Sequence, residues 1–256
     1  MNLLTTKTAF WRTLMLRFLK ALSFLLALTA LSVFITSCGS SSTQIRFVNA
    51  IRDDATPLDI EVNGGKIFTD VGFFGYQPSS GYTKTSSGSV TIAGVNTGTT
   101  TQVFSSSASL GSAQYTLVAT GTITGTNGSA VQLLSIPDNN TVPAVGDVEF
   151  RVINAAPSTQ NAAVDIYIIA NGGNGGIQPP ATISALAYTQ ASGYITFPFN
   201  SLGSGYTMYV TSTGTTNPIF SQVLPSPTNS IRTLVLTDVQ NGSSLNSLAV
   251  ELSDLN

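Results

Sequence analysis

Between residues 58 and 62 apolar and charged side chains alternate, Leu58-Asp-Ile-Glu-Val62. Leu58, Ile60 and Val62 therefore share one face of a strand, and Asp59 and Glu61 share the other. Asn63-Gly64 follows, and because both residues tolerate positive φ the pair predicts a tight hairpin. Short runs rich in Val, Ile, Thr and aromatic residues predict further strands at 89–95, 101–107, 114–123 and 131–136. Others are predicted at 164–169, 194–199, 206–211, 219–224, 233–239 and 248–252. Gly, Asn, Ser or Pro separates nearly every pair, and no helix is predicted in this part of the chain. Seven or eight short strands in about 100 residues predict an all-β chain of immunoglobulin-like sandwiches.

The pattern occurs twice. Ile45-Arg-Phe-Val-Asn-Ala50 recurs as Phe150-Arg-Val-Ile-Asn-Ala155, and Leu58-Asp-Ile-Glu-Val62 corresponds to Val164-Asp-Ile-Tyr-Ile168. Tyr76-Gln-Pro-Ser-Ser-Gly-Tyr82 matches Tyr188-Thr-Gln-Ala-Ser-Gly-Tyr194. Tyr115-Thr-Leu-Val118 matches Arg232-Thr-Leu-Val235, and Leu134-Ser-Ile-Pro-Asp138 matches Val250-Glu-Leu-Ser-Asp254. The order is preserved throughout, so tandem sandwich repeats are expected at residues 44–142 and 143–256.

The N-terminal segment has a different pattern. Residues 1–20 carry Lys7, Arg12, Arg17 and Lys20 without an acidic group, and residues 21–36 form an apolar stretch without a charge. About 16 residues is short for a spanning helix, which needs roughly 20, and the layout is that of a secretory signal. Ile35-Thr-Ser-Cys38-Gly39 resembles the lipobox of bacterial lipoproteins. That resemblance implies a signal peptide at 1–37, a lipidated Cys38, and a tether at 38–43 rich in small residues. Gly39, by the same resemblance, favours the outer membrane. Met15-Leu-Arg-Phe-Leu-Lys20 is itself a compact basic segment, so translation from Met1 and from Met15 are both open. Cys38 is the sole cysteine, so once lipidated it leaves the mature chain without a disulfide.

Charge narrows the partners. With four basic residues before Cys38, six of the ten remain in the body against all twelve acidic groups, and no basic cluster appears there. A phosphate backbone would be repelled, so no nucleic-acid partner is expected. Apolar residues make up 42 % and aromatics 9 %, which describes a folded chain rather than a disordered one.

Arg-Phe-Val-Asn-Ala, the Asp-Pro-rich turn, Leu-Asp-Ile-Glu-Val-Asn-Gly and the later Ser-Gly-Tyr together resemble the DUF4397-type repeat, a bacterial family of unknown function. The resemblance implies tandem copies in an exported, often lipid-anchored protein, and it implies no activity. Many members carry His-Ala-Ser-Pro after the first strand, where this chain has Asn49-Ala-Ile-Arg52 and Asn154-Ala-Ala-Pro157.

Candidate chemistry is sparse. Without histidine there is no Ser-His-Asp triad, imidazole base or His-carboxylate metal site, and a lipidated cysteine offers no thiolate. No enzyme activity, cofactor or metal is expected. Asp53-Asp54 and Asp138…Asp147 lack the spacing of a calcium loop. Arg46 with Asp59, and Arg151 with Asp165, occupy equivalent places and are expected to pair within each repeat. Tyr82 and Tyr194 are expected to anchor loops through their hydroxyls. Phe73, Phe74, Asn171 and Gly172 differ between the repeats and are the binding candidates, with Phe73 and Phe74 expected as adjacent strand residues that place one ring in the core and one outside. The functional expectation is a non-enzymatic, lipid-anchored envelope protein that meets the membrane through its lipid and an envelope protein or glycan through its domains. The alternative is a carbohydrate-binding module that uses exposed aromatics.

Overall fold

Strand β1 (Thr43–Ile51) is buried along nearly its whole length, which requires cover on both faces. A computed structural model describes residues 42–125, 130–172, 176–199, 205–224, 228–242, 244–246 and 249–255. The expected signal peptide, Cys38 and most of the tether lie outside the described residues. Ser42–Asn256 forms a single compact unit.

The first half contains β1, β2 (Leu58–Val62), β3 (Gly65–Val71), β4 (Tyr76–Gln77), β5 (Thr83–Thr85), β6 (Gly88–Asn96), β7 (Gln102–Leu110), β8 (Gln114–Gly121) and β9 (Gln132–Pro137). One sheet runs β4-β1-β8-β9, with β5 also on β1, and the other runs β3-β2-β6-β7. The second half contains β10 (Asp147–Asn154), β11 (Val164–Ala170), β12 (Ile183–Leu186), β13 (Ile195–Pro198), β14 (Tyr206–Ser212), β15 (Pro218–Leu224), β16 (Ser230–Leu236) and β17 (Val250–Ser253). Its sheets run β13-β10-β16-β17 and β12-β11-β14-β15. The class is therefore all-β sandwich, as the alternation predicts. A single 3₁₀ turn at Pro157–Thr159 is the only helical element among the described residues.

The β1/β8 and β10/β16 pairs are parallel, and all their other strand neighbours are antiparallel. Side chains along these central strands divide between two cores. Ile45, Phe47 and Leu117 join Leu58, Ile60 and Phe104 inside the first sandwich. Phe150, Val152 and Leu234 join Ile166, Met208 and Phe220 inside the second. The opposite faces of the same strands build a third core from Val48, Ala50, Val118, Ile153, Val235, Val250 and Leu252. The two inner sheets thus pack against each other, and their continuous apolar runs are explained by burial on both sides. Each aliphatic side chain fully buried there contributes about 1.5–3 kcal/mol.

Local chemistry sets the hairpins. Asn63 and Gly64 have φ of 51° and 78°, the two positive values that a tight turn between β2 and β3 demands. On β2, Leu58, Ile60 and Val62 face the core, as the alternation predicts. The Phe73-Phe74 pair departs from expectation because it is not in a strand. Gly72 and Gly75 bracket it, the Gly75 amide donates to the Gly72 carbonyl, and Phe74 takes a φ of 62°. Both rings are half-buried, and Phe74 packs against the third core.

Candidate functional site

The most concentrated chemistry lies between the inner sheets. Arg46 on β1 points away from the first core and reaches the second sandwich. Its Nε donates to Thr116 Oγ1 (2.8 Å), its Nη1 to the Ser253 carbonyl (2.7 Å) and its Nη2 to Asp254. Arg151 on β10 does the reciprocal thing. Its Nε donates to Thr233 Oγ1 (3.1 Å), its Nη1 to the Pro137 carbonyl (2.8 Å) and its Nη2 to Asp138. Thr116 donates on to Asp138 (2.7 Å) and Thr233 to Asp254 (2.7 Å), which closes the set. The four charged side chains are only 0–3 % exposed and balance in sign.

Tyrosines cap both ends. The Tyr82 hydroxyl donates to Asp138 (2.8 Å) and that of Tyr194 to Asp254 (2.5 Å). The Arg46 and Arg151 guanidinium carbons lie 4.9 and 4.6 Å from the Tyr82 and Tyr194 ring centroids. Burial raises both phenol pKa values above the ordinary range, so both rings remain neutral donors. Burial also opposes the charge on Arg46, but Asp254 and Asp138 outweigh it and hold its pKa above the usual arginine value. The tyrosines therefore anchor through their hydroxyls, as expected. Elsewhere along the junction, Arg52 reaches Asp238 (3.3 Å), which also accepts from the Ser158 amide (2.8 Å) and hydroxyl (2.5 Å). Burial pushes the Asp238 carboxyl up, while Ser158 and Arg52 pull it down.

The pairs expected within each repeat do not form. Arg46 is on an inner sheet and Asp59 on an outer one, each facing away from the core that separates them. Asp59 instead accepts from Lys66 Nζ (2.5 Å), the Asp70 amide (3.0 Å) and Thr97 Oγ1 (2.9 Å), and the Lys66 hydrogen bond holds its pKa low. Asp165 accepts from the Ala185 amide (2.7 Å) and the Gly214 amide (2.8 Å), not from Arg151. Asp165→Ala orphans these two donors and is expected to cost about 1–3 kcal/mol. A thermal melt should show it as a lower Tm, and an unchanged Tm would contradict the assignment.

Asn171 closes the end of β11, where its Oδ1 accepts from Thr207 Oγ1 (2.6 Å) and its amide donates to Gly205. Gly172 is exposed with φ of 83°, and residues 173–175 lie outside the described residues. These hydrogen bonds of Asn171 tie β11 to the β14 side of the outer sheet and include no member of the charged cluster. Asp53 binds the Ile123 amide (2.6 Å) and Thr124, and Asp138 serves Arg151, Thr116 and Tyr82. Among the described residues no group of three or more carboxylate, thiol or imidazole side chains is arranged to hold a metal ion. Asp138 and Asp254, which complete the cluster, follow β9 and β17, the last strand of each half, and were readable in sequence as matching positions.

A cleft of about 220 Å3 opens beside the cluster. Tyr76 on β4 and Ser79 and Ser80 from the β4–β5 connection form one side, and Arg232 and Glu251 from β16 and β17 form another. Burial pushes the Glu251 carboxyl above the ordinary glutamate range, with Arg232 pulling it back.

This architecture defines a β-sandwich protein. A family model described as Domain of unknown function (DUF4397) matches residues 43–167, from β1 through the first sandwich and into β11. No curated protein matches the chain. Among solved structures it is similar to one described as "Alpha-glucan binding by a streptococcal virulence factor" (12 % identity, 80 % of this chain, 97 % of that chain, TM-score 0.24). A second is "Product complex of a multi-modular glycogen-degrading pneumococcal virulence factor SpuA" (12 % identity, 82 % of this chain, 22 % of that chain, TM-score 0.25). A third is "Alpha-glucan recognition by family 41 carbohydrate-binding modules from streptococcal virulence factors" (9 % identity, 81 % of this chain, 98 % of that chain, TM-score 0.25).

Proposed function

We propose that this chain is a non-catalytic, lipid-anchored protein of the bacterial cell envelope, held at the outer membrane through Cys38. Its two sandwiches are tandem copies of the DUF4397-type domain, joined as one binding or organising body at the surface. The observation that carries the reading is the closed Arg46–Asp254 and Arg151–Asp138 cluster. Charged groups shared by both halves are saturated with internal partners and sealed from solvent, so they join domains instead of meeting a substrate. Diacylglycerol on Cys38 and an acyl chain on its amine together exceed the two signals that stable anchoring needs.

Cys38→Ser in the producing cell is the test. The wild-type chain should fractionate with membranes and carry the mass of a lipid, and the variant should lose both. A variant that stays in the membrane fraction with an unchanged mature mass would overturn the anchoring. A second reading, a module that binds carbohydrate, is favoured by the cleft at the junction, which a half-open tyrosine and a charged pair both line.

A further inference from the structure

Arg46 forms part of the cleft wall, but each of its side-chain nitrogens is already bonded across the junction. Arg232 and Glu251 are placed differently. Their closest approach, Nη1 to Oε1, is 3.6 Å, longer than a hydrogen bond. Arg232 Nε and Glu251 Oε1 are buried and find no hydrogen-bond partner among the described residues. Parts of both side chains remain open, at 23 and 18 % exposure. The unpartnered atoms themselves are shut off from solvent, so a ligand in the cleft reaches the pair only through the open atoms of the two side chains.

The common fold does not need this pair. In the second sandwich Arg232 lies opposite Phe150, and Glu251 opposite Leu234. The same register in the first sandwich sets Tyr115 opposite Ile45 and Ser135 opposite Leu117, with no charge at either place. The other wall is equally asymmetric. Tyr188 is buried against Thr120, whereas its counterpart Tyr76 is 38 % exposed. Tyr76 lies opposite Val48 on β1, so its ring is on the face turned toward the second sandwich. The charged pair and the open ring, each found in one copy alone, thus border the same cleft.

We propose that this cleft binds one sugar unit of a neutral glycan. The inference rests on the carbohydrate reading and is independent of the lipid anchor. The two charges cancel, so an anion meets Glu251 and a cation meets Arg232. A hydroxyl both donates and accepts. Adjacent hydroxyls of one ring can therefore accept from the guanidinium and donate to the carboxylate. The C–H face of the sugar lies on the Tyr76 ring, which presents an apolar body and a polar tip. Ser79 and Ser80, both exposed on the cleft rim, supply further hydroxyl partners.

The full chain, purified in a detergent without a sugar headgroup, is titrated calorimetrically with maltohexaose, cellohexaose and mannohexaose. Hexagalacturonate and hexaglucosamine serve as the anionic and cationic probes. At least one neutral oligosaccharide should bind, and both charged ones more weakly. Tyr76→Ala and Glu251→Gln should each weaken binding at least about tenfold, the scale of one lost aromatic or charge-assisted contact. Tyr76→Phe should retain binding, and all three variants should keep the wild-type Tm. Neutral-glycan binding that both weakening variants leave intact would overturn this site while the carbohydrate reading stands. Preference for a charged probe would overturn the ligand class. Binding of none of the three neutral oligosaccharides would overturn the site and the carbohydrate reading together.

Discussion

Asp254→Ala is expected to destabilise the chain by about 3–5 kcal/mol, because it leaves a buried guanidinium without its principal counter-charge. As counter-charge Arg46 would keep only Asp138, at 3.4 Å, while Thr233 and Tyr194 would lose their acceptor. The damage falls on both sandwiches, since Arg46 belongs to the first and Thr233 and Tyr194 to the second. For a body of this size, 1 kcal/mol corresponds to about 2–4 °C, so Tm should fall by roughly 10 °C. Calorimetry reads the shift directly, and a loss below about 1 kcal/mol would mean that the cluster is not the bond described here. Asp138→Ala should behave alike, because the two carboxylates have reciprocal surroundings.

The second large effect is expected at Ile153. This side chain is fully buried, but it faces the third core rather than the interior of its own sandwich. Ile153→Ala should cost about 2–5 kcal/mol, the range for a large-to-small change at a site that cannot collapse. Because the cavity opens between the sandwiches, their contact should loosen first. The connection from β9 to β10 contains Val145, which is 94 % exposed and available to a broad-specificity protease. Cleavage there should speed up in the variant as well as the urea midpoint falling. An unchanged midpoint would show that the inner sheets are not packed as described.

These effects also mark where sequence reading succeeded and where it stopped. Alternation in 58–62 and the Asn63-Gly64 turn are local, and the structure places both as their chemistry requires. Strand pairing beyond the hairpin is not local. β1 and β2 are neighbours in sequence, yet they lie in different sheets with a core between them, so the nearest duplicated Asp is not the partner of the duplicated Arg. A clue to the true arrangement was present in the apolar run Phe47-Val48-Asn49-Ala50-Ile51, which lacks the alternation of a strand with one wet face. Such a run needs a second covering sheet, and the other half of the chain supplies it. Asp138 and Asp254 were visible as matching positions, but their role depends on contacts between the two halves: Asp254 meets Arg46 at 208 residues' distance in sequence, and Asp138 meets Arg151 of the following half. Phe73-Phe74 was misplaced for a local reason, since Gly72 and Gly75 turn the chain where a strand was expected.

A double-mutant cycle between Arg46 and Asp254, measured by urea unfolding, tests the reciprocal lock most directly. Arg46→Ala and Asp254→Ala should each be strongly destabilising, and the pair together should cost about 2 kcal/mol or more less than their sum. The parallel cycle between Arg46 and Asp59 should be additive within about 0.5 kcal/mol. Additivity of Arg46 with Asp254, accompanied by coupling of Arg46 with Asp59, would contradict the lock and restore pairing within the repeat.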